Sequence, residues 1–173
     1  MTRRVSIFGV TGSIGQNTLD LLRRDPTAYH LVALSGGRNI AQLARDALEF
    51  SPEVVVTAFE DLLPELQAAM AGSGVAVQAG AEAIARAAER PADWIMSCIV
   101  GVAGLTPSLK AVQQGATLAL ANKESLVAAG PILMAEARRH GATILPVDSE
   151  HSAVFQALIG EDISAVERII ITA

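Results

Sequence analysis

The chain has a single cysteine, Cys98, so no disulfide can close within it. Cys98 lies in the apolar run Trp94-Ile95-Met96-Ser97-Cys98-Ile99-Val100, where a buried core thiol is favoured over a nucleophile. Positive charge is also scarce: 13 Lys and Arg against 18 Asp and Glu leave a net charge of −5. That balance suits neither nucleic acid nor an anionic membrane, and neither is expected as a partner. No stretch reaches the ~18 apolar residues of a membrane span. Arg3 and Arg4 precede an apolar segment, but Gly9 and Gly12 interrupt it before it resembles a signal-peptide core. Low-complexity tracts and repeats are lacking as well. A cytoplasmic protein is expected.

What is present is apolar and alternating. Of 173 residues, 51% are hydrophobic and 18% charged, which excludes disorder because such a chain can bury enough surface to offset its ordering entropy. Short apolar runs predict strands at 5–9, 31–35, 54–57, 75–78, 94–98, 117–121, 143–147 and 166–172. Several are apolar throughout, as parallel strands covered on both faces are. Between them the spacing is helical. Ile14, Thr18, Leu21 and Leu22 would share one face, and Ile40, Leu43, Ala44, Ala47 and Leu48 another. The alanine-rich segment 60–90 predicts two helices flanking a short peripheral strand. Together these give an α/β fold, a doubly wound and mostly parallel sheet of Rossmann type. The last apolar run, at 166–172, would be a strand with nothing after it, so a truncated piece of a longer protein is expected.

The first strand runs into Gly9-Val10-Thr11-Gly12-Ser13-Ile14-Gly15. In such a turn Gly9 permits a sharp exit from the strand, Gly12 lets backbone N–H groups approach a pyrophosphate, and Gly15 lets the next helix pack closely. The helix then points its positive end at the phosphates. Ser13 and Gln16 also have capping-box spacing, a purely structural alternative for Ser13. The second strand ends Ser35-Gly36-Gly37-Arg38-Asn39. It has no carboxylate for a ribose 2′-OH, and an arginine stands where a 2′-phosphate would lie, which favours NADP over NAD. Asn39 as helix N-cap, with Arg38 merely solvated, is compatible with the same residues.

Two polar clusters follow later strands, at the sheet edge where ligands of open α/β folds bind. In Asn122-Lys123-Glu124-Ser125, ordinary helix initiation competes with a lysine that holds an anionic or hydroxylated ligand. In Asp148-Ser149-Glu150-His151, extended backbone would point both carboxylates to one side, where they suit a hard divalent cation. A Ser149 N-cap flanked by acidic residues fits equally well, and His151 is expected to pack or cap.

Five stretches in this order, 9–15 (GVTGSIG), 48–52 (LEFSP), 99–105 (IVGVAGL), 121–127 (ANKESLV) and 146–151 (PVDSEH), closely resemble the 1-deoxy-D-xylulose 5-phosphate reductoisomerase family. The resemblance implies NADPH- and metal-dependent isomerisation and reduction of a phosphorylated sugar to 2-C-methyl-D-erythritol 4-phosphate, in non-mevalonate isoprenoid biosynthesis. It implies NADPH contacts at Thr11, Gly12, Ser13, Ile14, Gly37, Arg38, Asn39, Asn122 and Glu124. Family members usually carry lysine where Arg38 stands. Lys123, Ser149 and Glu150 would meet the substrate, Lys123 and Glu150 being the catalytic pair. Asp148 and Glu150 would hold Mg²⁺ or Mn²⁺. Residues 1–147 would form the NADPH-binding domain, and 148–173 the start of a catalytic α+β domain that is incomplete here. The piece alone is expected to bind NADPH without turnover, and the full-length protein to be a homodimer.

Other classes fit less well. A short-chain dehydrogenase needs Tyr-x-x-x-Lys, but Tyr29 has Ala33 four residues on. A semialdehyde-type dehydrogenase needs a cysteine nucleophile, and Cys98 is expected inside a strand. A non-catalytic NADP-binding module is the remaining alternative.

Overall fold

The computed structural model describes residues 2–170. Seven strands form one sheet: β1 (Arg3–Phe8), β2 (Tyr29–Gly36), β3 (Val54–Thr57), β4 (Ala76–Ala79), β5 (Trp94–Ser97), β6 (Thr117–Leu120) and β7 (Thr143–Pro146). Their order is β4-β3-β2-β1-β5-β6-β7, and every pairing is parallel. The chain winds outward from β1 to β4, returns to the middle at β5, and winds outward the other way. The reversal between β1 and β5 opens a crevice at the carboxyl ends of the strands, the usual ligand position in such sheets.

Side-chain alternation explains why both faces are covered. Ile7, Val55, Met96 and Ala119 point into one apolar layer with Leu19, Leu43 and Leu66. Their chain neighbours Phe8, Val54, Val56, Ile95, Leu118 and Leu120 point into the other, with Ala83, Ile84, Val112 and Leu133. The helices therefore divide between the faces. On the first lie α1 (Ser13–Arg23), α2 (Ile40–Phe50) and α3 (Leu63–Ala69). On the second lie α4 (Ala81–Ala87), α5 (Leu105–Gln113) and α6 (Lys123–His140). A last helix, α7 (Ser149–Ala157), follows β7. Among the described residues no helix is long and apolar enough to cross a membrane.

Three sequence expectations are corrected. Residues 166–170 form no strand, because an apolar run becomes a strand only where a neighbour offers ladder partners; the remainder of that run lies outside the described residues. The buried face of α1 is Gly15, Thr18, Leu19 and Leu22, and Leu21 points to solvent. Leu48 likewise leaves the buried face of α2, and Asp46 enters it.

Candidate functional site

The glycine turn is built as its spacing suggests, with one exception. Gly9 takes φ +95°, and a Cβ there would lie 2.6 Å from the Cys98 carbonyl oxygen. Gly15 is equally constrained, since its Cβ would lie 2.6 Å from the Val10 carbonyl carbon. Gly12 differs. It has φ −80°, and a Cβ there would meet only the Gly9 oxygen, at 3.5 Å. The fold itself therefore requires Gly9 and Gly15 but would accept a side chain at Gly12. Such a position suits a ligand that approaches the backbone closely.

The Ser13–Gln16 capping box does not form. Gly12 is the N-cap of α1, and no side chain caps that end, which leaves its first N–H groups available to an anion. Gln16 instead turns inward, donating to the Val10 carbonyl at 3.0 Å and to Asp46 Oδ2 at 2.7 Å. Gln42 donates to the other oxygen of Asp46 at 2.7 Å. Burial pushes the Asp46 carboxyl up, and the two bonds only partly offset this.

After β2 the chain passes through Gly37, Arg38 and Asn39. Asn39 caps α2, its oxygen accepting from Gln42 N at 3.1 Å. The Arg38 guanidinium lies over the Phe59 ring. A cleft of about 830 Å³ runs above these strand ends. Gly9, Thr11, Gly12, Gly37, Phe59 and Pro107 are among the residues that line it. Ser13, Ile14, Arg38 and Asn39 do not line it, although Phe59 carries Arg38 at its rim.

A second cleft of about 390 Å³ adjoins the first and shares Cys98, Ile99 and Val100 with it. Here the two polar clusters meet: Asn122, Lys123 and Glu124 face Asp148, Ser149 and Glu150, and Ile14 also contributes. Asn122 is buried and its side chain is committed within the protein. Its Nδ2 donates to the carbonyls of Ile99 and Gly101, and its Oδ1 accepts from the N–H and hydroxyl of Ser125 at 2.7 and 2.6 Å. It thus caps α6 and pins the loop dividing the clefts. Lys123 and Glu124 are exposed.

At β7 the chain turns sharply. Asp148, not Ser149, is the N-cap of α7. Its Oδ1 accepts from His151 N at 3.0 Å and contacts His151 Nδ1 at 2.7 Å. Ser149 and Glu150 are already helical, so the two carboxylates share the cleft because the chain bends there, not because they alternate along a strand. Burial pushes the Asp148 carboxyl up, but the His151 bonds outweigh it and hold the group below its ordinary range. Glu150 is lowered by its own backbone N–H, by the Ser149 hydroxyl at 2.9 Å and by the charge of Lys123. Two ionised carboxylates on one rim are chemically suited to Mg²⁺ or Mn²⁺. They are a partial set: no group of three or more His, Cys, Asp or Glu able to hold a metal gathers among the described residues.

Cys98 lies just beyond β5 rather than inside it. Its thiol donates toward the Phe8 and Gly9 carbonyls, and burial pushes it up to about 12. That suits an inert thiol and not a nucleophile.

Nothing in the sequence pattern marks Phe59, an aromatic in a loop. Asp46 did leave one, as a charged residue beside the apolar stripe of α2.

Residues 5–130 match the family described as 1-deoxy-D-xylulose 5-phosphate reductoisomerase, and residues 144–173 match that described as its C-terminal domain. A 1-deoxy-D-xylulose 5-phosphate reductoisomerase from Jannaschia sp. (strain CCS1) is 71% identical over 99% of this chain and 44% of its own length. A solved reductoisomerase from Zymomonas mobilis in complex with NADPH superposes with a TM-score of 0.88 at 47% identity, covering 90% of this chain and 41% of that one. Another, in complex with NADPH, fosmidomycin and magnesium, gives 0.85 at 38% identity, covering 95% and 42%. The chain thus spans less than half the length of these relatives.

Proposed function

The chain belongs to the 1-deoxy-D-xylulose 5-phosphate reductoisomerase family, and on that premise we propose that it is the NADPH-binding part of an enzyme that isomerises and reduces 1-deoxy-D-xylulose 5-phosphate to 2-C-methyl-D-erythritol 4-phosphate. The observation that carries this reading is the shared wall: the cleft above the glycine turn and the carboxylate-lined cleft meet at Cys98, Ile99 and Val100. A reductant in one would lie beside a substrate in the other. When bound, NADPH supplies a hydride and the divalent cation supplies Lewis acidity toward the keto and hydroxyl oxygens of the sugar.

The chain's own residues hold these groups. Thr11, Gly12, Ser13 and Ile14 offer backbone and the uncapped end of α1 to the pyrophosphate. Gly37, Arg38 and Asn39 serve the 2′-phosphorylated ribose. Asn122 holds the dividing loop, and Glu124 stands beside it. Asp148 and Glu150 are the metal ligands, and Lys123, Ser149 and Glu150 face the substrate. In the reductoisomerase solved with NADPH, fosmidomycin and magnesium the family's site takes both cofactors, which supports carrying them to this chain.

We further propose a boundary near residue 147, with 148–173 opening a second, catalytic domain. The separate family matches at 5–130 and 144–173 support it. A homodimeric full-length protein in the cytoplasm belongs to the same reading.

The test is a fluorescence titration of NADPH into the 173-residue chain, followed by a turnover assay with and without the remainder of the protein. Binding without turnover in the piece, and turnover in the whole, are expected. Binding without turnover in both would favour a non-catalytic NADP-binding module. No binding would overturn the reading.

A further inference from the structure

The guanidinium carbon of Arg38 sits 4.0 Å from the centroid of the Phe59 ring, within the range of a cation–π contact. The two residues lie in different loops, after β2 and after β3, and the fold ties those loops together. The Thr57 hydroxyl donates to the Gly37 carbonyl at 3.2 Å and accepts from the Phe59 N–H at 3.3 Å. Phe59 is half-buried and lines the larger cleft, so the ring is a fixed platform at its rim. Among the described residues the guanidinium also pairs with Asp61, whose Oδ2 lies 3.5 Å from Nη1.

We propose that Phe59 and Asp61 set the cofactor preference of this chain: the Phe59 ring holds the Arg38 guanidinium ready for the 2′-phosphate of NADPH, and Asp61 is the weak counter-charge that this phosphate displaces. The inference rests on the cofactor reading in the preceding subsection. A free arginine side chain must give up much rotamer freedom to grip a phosphate. Stacking on a ring restricts the side chain beforehand and leaves the N–H edge of the guanidinium open to two phosphate oxygens. Asp61 acts the other way. Its pair with Arg38 is longer than a good hydrogen bond, and both side chains are about two-thirds exposed, at 66% and 65%. Solvent screens such a pair and it is readily given up, yet its negative charge still opposes an incoming phosphate. NADH has no 2′-phosphate, so neither residue should govern its affinity.

The experiment titrates NADPH and NADH separately into the 173-residue chain and five variants. Phe59→Leu should weaken NADPH by about twofold to fivefold while NADH changes little, and Phe59→Tyr should restore the ratio. Asp61→Asn should tighten NADPH by about twofold and leave NADH unaltered. In an Arg38→Ala background, Phe59→Leu should no longer move the ratio. Equal losses for both cofactors would make Phe59 a plain cleft wall and overturn the inference, as would an unmoved ratio. Should Phe59→Leu fail to fold, the exposed Asp61→Asn carries the test by the same ratio. A wild-type chain without preference for NADPH would overturn the cofactor reading and this inference together. A wild-type preference for NADPH whose size is unchanged in both Phe59→Leu and Asp61→Asn would overturn this inference alone.

Discussion

Gln16 Nε2 lies 2.7 Å from Asp46 Oδ2, so a carboxylate buried on α2 grips the helix that leaves the glycine turn. The same nitrogen also holds the Val10 carbonyl, and Gln42 closes the group from the other side. The network stands directly behind the residues assigned to the pyrophosphate. Asp46→Ala would take an acceptor from two half-buried carboxamides that each keep another bond, and it should cost about 1–2 kcal/mol in urea unfolding and loosen NADPH severalfold. A variant as stable as the wild type would show that the network is dispensable. The sign of its pH dependence is unusual for an aspartate. Its carboxyl is raised above 3.8, mainly by burial. The folded chain therefore holds this proton more tightly than the unfolded chain does. Its contribution to stability is fully present below 3.8 and is lost as pH rises through the raised value.

Glu53 behaves oppositely. Burial would raise it, but bonds from His30, Arg4 and Arg90 win and hold it below 4.5. The distances are 3.1, 2.9 and 3.0 Å. Its contribution is present above 4.5 and is lost as pH falls through the lowered value. Glu53→Gln should cost about 1 kcal/mol at neutral pH, a small figure because Glu53 and its partners are partly exposed and screened. Urea midpoints followed into acid should converge with those of the wild type. A gap that persists in acid would exclude the charge as its origin.

Gly12→Val should separate fold from ligand. The backbone there is ordinary and the Cβ has room, so circular dichroism and melting temperature should stay near wild type. NADPH affinity should fall by more than about tenfold, because the side chain would occupy the place of the pyrophosphate. Retained affinity would mean that the turn is not a phosphate cradle.

The carboxylate pair should bind Mn²⁺ weakly in this chain, at about millimolar concentration, because two carboxylates fall well short of six oxygens. Asp148→Asn or Glu150→Gln should weaken it further, as followed by water-proton relaxation, with NADPH affinity unchanged. In the full-length protein either change should remove most turnover at saturating Mg²⁺. Turnover within a few-fold of wild type would reduce the pair to a helix cap.

The parts of this molecule that were legible in the sequence are those whose causes are local. The strand Val54–Thr57 and the glycine turn follow from a few consecutive residues, and Asn39 and Asn122 cap the helices they precede. The role of Phe59 was not legible, and Asp46 showed only as a charge beside an apolar stripe, since each depends on a partner from another loop or helix. The run misled at 166–170 for a related reason: composition registers strand propensity, but not whether a neighbouring edge is free to pair. Asp148 and Glu150 were picked out on a mistaken geometry. The helix start weighed as the alternative is the one that forms, with Asp148 and not Ser149 as its cap.

The loop after β5 is the common wall of both clefts, and Asn122 anchors it from behind. A ligand in one cleft meets the same partition as a ligand in the other. Any change that one ligand makes in the affinity of the second is matched by an equal change in the affinity of the first, because linkage between two sites is reciprocal. Order of addition in a binding experiment is therefore a structural measurement on this loop: if the partition moves, the tightening of one ligand by the other must be the same factor in both directions, and a factor of one would mean that the wall is rigid.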